Sequence, residues 1–514
     1  MAENYRALVA LLVLTIPVLW FVRKPLTVAV MRPADFNVRA FVWIALTILL
    51  FVAQSFWIFM LGAILLVLSV GRKDSNPLGL YFFILLLAPP FQSAVQGFGG
   101  INYFISLDFL RLLSFVILLP TAVVLLTRPE SAGLLRMPTD KYVLGYVVLL
   151  LAIQLPLTST TDWLRSALGY VIDTLLPYYV FSRGITDMKR LRDTGASFVA
   201  ACAIISVVAV FEFFKGWLLY SSLPNFLDVR WKYGSYMLRD GSLRAMVSTG
   251  HSIVLGYVLT VALGMHLMIR PAFANRTFWR NVLLLLGVGI VASMSRGPWV
   301  GAAGLIIVAL IIGPGAGKRL GTASLLLILS LPVLMLTPIG AKVVSYLPFV
   351  GDVDSANVNY RQQLFEVSWN VLMLNPIFGS PFYMAYGALE QLRQGEGIID
   401  MVNSYLAVAM VSGFVGLTLF SGSFVSCTVR LYAHLVRHPA KGGDDYVVGK
   451  ALLATLVGIL LIIATTSSIN AIPVVYWCVV GMCAAYLRFA AAAQPAKAAQ
   501  YLAHPNVVRQ PSFF

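Results

Sequence analysis

Three arginines stand where connecting segments meet apolar ones: Arg244 in "LRAMVSTGHS", Arg296 in "SMSRGPWVGAAG" and Arg361 in "NYRQQLFEVSWNVLMLNP". A guanidinium stays charged at physiological pH and offers a planar fork of donors, which matches the planar oxygens of a phosphate or diphosphate. Few groups nearby can move a proton. Asp400, in "IIDMVNSYL", is the leading carboxylate, with capping of the following helix as its other reading. Glu366 comes shortly after Arg361 but about 140° round a helix from it, so it reads more readily as solvated or paired. His251 has a suitable unperturbed pKa for acid–base work, or simply hydrogen-bonds a neighbouring loop. Asn403 and Tyr405 are candidate substrate contacts, with capping and core packing as the alternatives.

The elements that must position these groups are membrane segments. The chain has 514 residues, 59% hydrophobic and 11% charged, and its mean hydropathy is +0.85. Apolar runs of roughly 15–25 residues recur along almost its whole length, the pattern of an all-α polytopic membrane protein. The net charge of +16 does not indicate nucleic-acid binding, because Lys and Arg fall in short loops where they set orientation. Cys202, Cys427, Cys478 and Cys483 lie in or at the ends of apolar runs and read as small buried hydrophobes. No disulfide or metal-ligand spacing appears, and no cofactor is expected. The first run, 7–22, is followed by "RKP" and lacks a basic leader, so it reads as a membrane helix and not a signal peptide.

Candidate spans are 7–22, 40–70, 78–90, 104–127, 141–157, 164–182, 194–219, 248–269, 280–295, 298–314, 319–338, 403–429, 447–468 and 470–489. Basic loops at 23–39, 71–77, 128–141, 183–193, 270–280, 318–319 and 430–450 alternate with charge-poor ones such as "FQSAVQGFGGIN". Loops 23–39 and 71–77 both belong inside, yet one run separates them. That run is roughly 46 Å long as a helix, too long for one upright span. A hairpin broken at "AQS" (53–55) satisfies both loops; a single tilted helix is the alternative. The total is about 14 or 15 spans. By this alternation 220–247, Arg296 and the long connection 339–402 face outside, so Arg296 opposes the positive-inside trend. A snorkelling arginine on lipid phosphate is the plainer account; a bound anion is the functional one. Trp231, Tyr233 and Tyr236 fit an interfacial belt better than a sugar platform. Residues 1–489 form one transmembrane domain and 490–514 an unstructured tail.

The strings "SRGPWVGAAGLIIVAL", "NYRQQLFEVSWNVLMLNPIFGSPF" and "DMVNSYLAVAMVSGFVGLTLF", in this order round the long loop, resemble the O-antigen ligase and polymerase (Wzy/WaaL) superfamily of bacterial envelopes. "LPYYVFSRGITDMKRLR" and "LRAMVSTGHSIVLGYVL" extend the resemblance to about 170–430. It implies a GT-C-like helix bundle in the inner membrane that moves glycans from undecaprenyl pyrophosphate on the periplasmic face, without metal or nucleotide sugar. It also implies membrane lipid as a partner and a chain-length regulator as a further one. Arg296 then corresponds to the arginine of an S-R-G motif, and Arg361 to a loop arginine preceding a P-x-x-G element. Arg244 is the third diphosphate ligand. Ligases of the group usually carry a histidine before the asparagine that opens the post-loop helix; here Val402 precedes Asn403. That departure favours a polymerase of exopolysaccharide or O-antigen repeats over a ligase. A flippase of lipid-linked oligosaccharide is the rival of another class, disfavoured because no internal repeat is evident and the charges sit on one face.

Overall fold

The computed structural model describes residues 2–97, 99, 102–128, 133–229, 237–239, 241–313, 315–337, 355–393, 399–437 and 442–503. Its helices are α1 Ala2–Ala29, α2 Pro33–Val52, α3 Phe56–Ser69, α4 Pro77–Ile84, α5 Phe109–Leu113, α6 Leu119–Thr127, α7 Asp140–Gln154, α8 Thr160–Tyr170, α9 Leu176–Gly184 and α10 Met188–Lys215. They continue as α11 Leu223–Phe226, α12 Ser252–Ile269, α13 Arg276–Ala292, α14 Arg296–Ile311, α15 Ala316–Met335, α16 Ser355–Leu372, α17 Gly387–Glu390, α18 Ser404–Arg437, α19 Asp444–Ile463 and α20 Ala471–Ala503. π turns at Ser114–Leu118 and Val171–Leu175 join α5 to α6 and α8 to α9. The only strands among the described residues form two short antiparallel hairpins, β1 Ser93–Gln96 with β2 Tyr103–Leu107 and β3 Leu238–Arg239 with β4 Ser242–Leu243.

Helices α10 and α12 form the centre. Both are buried through most of their length, and the small side chains of "GASFVAACAIIS" let neighbours approach closely where apolar area alone provides no drive inside lipid. Around them pack α1, α4, α13, α14 and α19. Outward faces, such as Val9, Val13 and Trp20 of α1, stay apolar and exposed, as a lipid-facing surface requires.

Two ends can be told apart by their polar contacts. One end is tied by buried ion pairs. Arg39 of α2 bridges Asp74 (Nε–Oδ2 2.7 Å) and Asp193 of α10 (Nη1–Oδ1 2.6 Å), and Arg183 of α9 meets Asp140 of α7 at 2.6 Å. The basic connections cluster here. At the other end the α2–α3 turn meets Leu227 through Phe56 N (3.1 Å), Ser222 donates to Asn4, and Asn470 donates to Thr249 O (3.2 Å).

Nine helices among the described residues are long and apolar enough to cross a membrane, so the chain is an all-α polytopic membrane protein. The 40–70 run is two helices broken at 53–55, with Gln54 at φ 53°, and the hairpin reading holds. Helices α1 and α2 reach further into loop 23–39 than the sequence suggests, leaving 30–32 as the connection. The 78–90 segment is helical only to Ile84, and about 12 Å of helix cannot cross a ~30 Å core. Residues 78–91 are all buried, so protein, not lipid, satisfies the irregular backbone there. The loop 91–102 carries strand β1 of a hairpin, which Arg165 of α8 clamps by lying 3.7 Å over the Tyr103 ring. Helix α20 runs to Ala503, so 490–503 is helical where an unstructured tail was expected; its alanines are the strongest helix formers. Residues 504–514 lie outside the described residues, as do Trp231, Tyr233, Tyr236 and residues 339–354 and 394–398 of the long connection.

The Arg39 cluster is fully enclosed, so removing one partner strands charge in a dry interior, at a cost of about 3–5 kcal/mol. Arg39→Leu is expected to lower the melting temperature of the detergent-purified protein sharply, whereas Arg32→Leu, at an exposed position, leaves it unchanged.

Candidate functional site

The turn "TTSSIN", Thr465 to Asn470, joins α19 to α20 and is where the site is assembled. Helix α14 approaches α19 backbone to backbone: a Cβ on Gly301 would stand 2.9 Å from Gly458 O, and one on Gly458 3.1 Å from Gly301 O. This contact brings the first turn of α14, headed by Arg296, against the turn, with Gly297 Cα so close that an added Cβ would lie 2.7 Å from Thr465 Oγ1. Thr465 O in turn accepts Arg361 Nη2 at 3.5 Å. Arg296 and Arg361 therefore come to one place, though far apart in the chain. Partial burial lowers the Arg361 pKa, Asp400 opposes that shift and the like charge of Arg296 adds to it.

The same turn holds the entry to α18. Ser404 Oγ donates to Thr466 O (2.7 Å) and Ser468 Oγ to Ser404 Oγ (2.7 Å). Ser467 Oγ donates to Asp400 Oδ1 and to Met401 O. Asp400 is thus a half-buried carboxylate near Arg361, and it does not cap α18. That task falls to Asn403, whose Oδ1 accepts Tyr405 N (2.9 Å) and Leu406 N (3.2 Å). Tyr405 points into the bundle, its hydroxyl donating to Leu460 O at 3.2 Å and its ring edge-on to Phe420. Glu366 is exposed on α16 and accepts from Gln362 Nε2 at 3.0 Å. The geometry therefore groups Asp400 with Arg361 and leaves Glu366 and Tyr405 to local contacts.

Arg244 arrives from the segment before α12. Its Nη2 donates to Ser295 Oγ (3.0 Å), one residue before Arg296, while Ala245 N donates to Ala292 O (3.2 Å). Its Nε is buried without a hydrogen-bond partner among the described residues. Burial, then the neighbouring Arg239, lowers its pKa to about 10, so it remains charged at neutral pH. Arg239 Nη1 donates to Met294 O (3.0 Å), in a turn where Met294 takes the left-handed φ of 47°. Side chains other than glycine hold that conformation at a cost, and such residues gather at functional sites. Four arginines from three connections thus approach one helix start.

His251 is the N-cap of α12, its Nδ1 accepting Ile253 N at 3.1 Å. Burial and then Arg244 lower its pKa from 6.5 to about 4. At neutral pH it is an uncharged imidazole whose proton sits on Nε2, suited to donating a hydrogen bond and poorly suited to serving as a base.

Two groups were not picked out from the sequence. Glu212 of α10 is fully buried, and its carboxylate accepts Leu219 N (3.1 Å), Met246 N (3.1 Å) and Val247 N (2.9 Å). It fixes the segment that carries Arg244 and His251; a lone carboxylate in "VVAVFEFFKG" was the available signal. The second is the interlock of "NPIFGSP" with α18. Helix α18 is interrupted at Gly413 (φ 63°, ψ −169°), where Phe414 N donates to Pro376 O (2.8 Å) and Ser380 N to Met410 O (2.8 Å). A Cβ on Gly413 would sit 2.1 Å from Ile377 O, and one on Gly379 2.5 Å from Gly413 N. The P-x-x-G element therefore clamps the foot of α16 into the break, and so fixes where Arg361 stands.

A polytopic helix bundle with arginines gathered at one end beside a long helical connection defines the class. Residues 282–421, from within α13 to within α18, match the family model Wzy_C, described as O-antigen ligase. In this segment the chain is similar to that family, and the segment contains Arg296, Arg361, Glu366, Asp400, Asn403 and Tyr405. No curated protein matches the chain.

Glu212→Leu would orphan three buried amides, each costing about 1–3 kcal/mol. It is expected to abolish accumulation of folded protein, with Glu212→Gln intermediate, as read by size-exclusion profile and melting temperature. The fold disfavours the His251 imidazolium, so the unfolded chain binds that proton more tightly between pH 6.5 and about 4. Its contribution is therefore whole above 6.5 and is lost as pH falls towards 4. His251→Asn, a cap that does not titrate, should flatten the fall in melting temperature over that window.

Proposed function

We propose that this protein polymerises lipid-linked polysaccharide repeats on the periplasmic face of the bacterial inner membrane, in a GT-C-like bundle. A sugar hydroxyl of an acceptor repeat attacks the anomeric carbon of a glycan carried on undecaprenyl pyrophosphate. The new C–O bond forms as the old one breaks, its electron pair passes to the diphosphate oxygen, and the hydroxyl proton leaves to Asp400 or to water. Charge grows on the leaving diphosphate, and fixed guanidiniums aimed at it supply the largest single share of catalysis in such sites. Arg296 and Arg361 hold the leaving group, Arg244 joins them, and His251 donates a neutral hydrogen bond. The approach of Arg296 and Arg361 to Thr465, beside Asp400, is the observation that supports this reading.

Transfer to a lipid or protein acceptor is the second reading, favoured by the description of the matching family as a ligase. The polymerase reading is preferred because Val402 takes the place of the ligases' usual histidine. In a deletion strain, accumulation of single lipid-linked repeats supports polymerisation, and long lipid-linked chains support ligation. Arg296→Ala and Arg361→Ala are each expected to reduce polymer at least a hundredfold, about 2.7 kcal/mol or more of transition-state stabilisation. Immunoblots of membranes should show unchanged protein. Normal polymer from either variant would remove that arginine from the site.

A further inference from the structure

Helix α12 begins beside His251, at the candidate site, and ends at the opposite, basic end of the bundle, where the turn into α13 forms a cavity. The cavity measures about 360 Å³ and is lined by Arg270, Arg276, Thr277, Trp279 and Arg280. No carboxylate lines it, and among the described residues none of its three arginines joins an ion pair. Arg270 is fixed, donating Nη1 to Phe273 O (2.7 Å) and holding its guanidinium 5.4 Å from the centre of the Trp279 ring. Arg276 and Arg280 are exposed and neighbours on successive turns of α13. Trp279 lies flat on His266 of α12, ring centres 5.1 Å apart and planes 13° from parallel, and His266 Nε2 donates to Trp279 O at 2.8 Å. An apolar seam adjoins this wall. His266 also lines a narrow crevice among α1, α10 and α13, with Val22, Leu26, Ala203, Phe278 and Val282. Its buried Nδ1 has no hydrogen-bond partner among the described residues. On the outer side of the seam, Phe21 of α1 meets Phe278 at 5.4 Å and stays exposed. One turn beyond Arg280 comes the exposed Leu284, on the lipid-facing side of α13.

We infer that this cavity binds the phosphate of an anionic phospholipid whose acyl chains lie along the seam of α1 and α13. Arginines at the basic end of a membrane protein also set its orientation, and scattered ones need no ligand. Here three line one cavity with no carboxylate to neutralise them, and their donor forks suit phosphate oxygens. Basic pockets between membrane helices bind headgroups of this kind. A soluble phosphate shares that head chemistry but leaves the adjoining Phe21 and Leu284 unused. A zwitterionic lipid brings its own cation among the guanidiniums. The cavity lies at the far end of α12 from the candidate site, so its ligand is independent of the proposed reaction.

The test titrates the detergent-purified protein with phosphatidylglycerol, phosphatidylcholine or glycerol phosphate and reads dissociation constants by native mass spectrometry. Wild type is compared with Arg276→Gln/Arg280→Gln and with Arg72→Gln/Lys73→Gln, a control that removes two exposed charges from the same end. Wild type is expected to hold one phosphatidylglycerol about tenfold more tightly than phosphatidylcholine. The cavity variant should lose about tenfold for phosphatidylglycerol, and the control nothing. Melting temperatures equal to wild type establish that the fold is intact. Should the double variant melt lower, the two single variants carry the same test, each expected to lose about threefold. If the control weakens phosphatidylglycerol as much as the cavity variant does, charge at this end merely attracts anionic lipid and the inference falls. It falls also if the cavity variant binds phosphatidylglycerol as wild type does. If glycerol phosphate binds as tightly as phosphatidylglycerol and is lost in the cavity variant, the ligand is a soluble anion and the lipid assignment is overturned.

Discussion

A membrane interior provides no water to satisfy a stray amide or charge, so each polar group at the working end must find its partner within the protein. The Thr465–Asn470 turn meets that requirement for several elements at once. Its hydroxyls, carbonyls and the Asn470 side-chain amide receive or supply bonds to Asp400, Met401, Ser404, Arg361 and Thr249. Because one turn serves them all, the starts of α12, α14 and α18 and the head of α16 cannot drift independently. Preorganised charge of the kind the proposed chemistry needs depends on such rigidity.

Close backbone contact does the same work deeper in the bundle. Gly301 with Gly458, and Gly379 with Gly413, leave no room for a Cβ. Between lipid-exposed helices, small residues are the means of gaining dispersion contact, since the tails of lipids are as apolar as leucine. The interruption of α18 at Gly413 frees backbone groups that a straight helix would have satisfied. The loop from Pro376 to Ser380 takes them up, turning a helix break into the anchor for the long connection.

The two ends hold their arginines differently. At the basic end Arg39 and Arg183 are enclosed by carboxylates and act as staples. At the other end Arg244 keeps a buried Nε without a partner among the described residues, and its pKa is depressed by burial and by Arg239. Arginines paired with enclosed carboxylates stabilise a fold.

Hydropathy determined the membrane class and most segment positions, because partitioning into lipid is a property of local sequence. It also revealed the break at 53–55, where helix length exceeded the thickness available. The arginines Arg244, Arg296 and Arg361 and the carboxylate Asp400 were legible from residue type and from the strings around them. Tertiary structure alone decided that they meet, since contacts between residues so distant in sequence leave no periodicity to read. It alone assigned the cap to Asn403 and not Asp400, made 78–91 a buried half-helix, and disclosed Glu212 and the Gly413 interlock. Those outcomes depend on which backbone groups are left unpaired once the helices are packed, and packing is not written in any single segment.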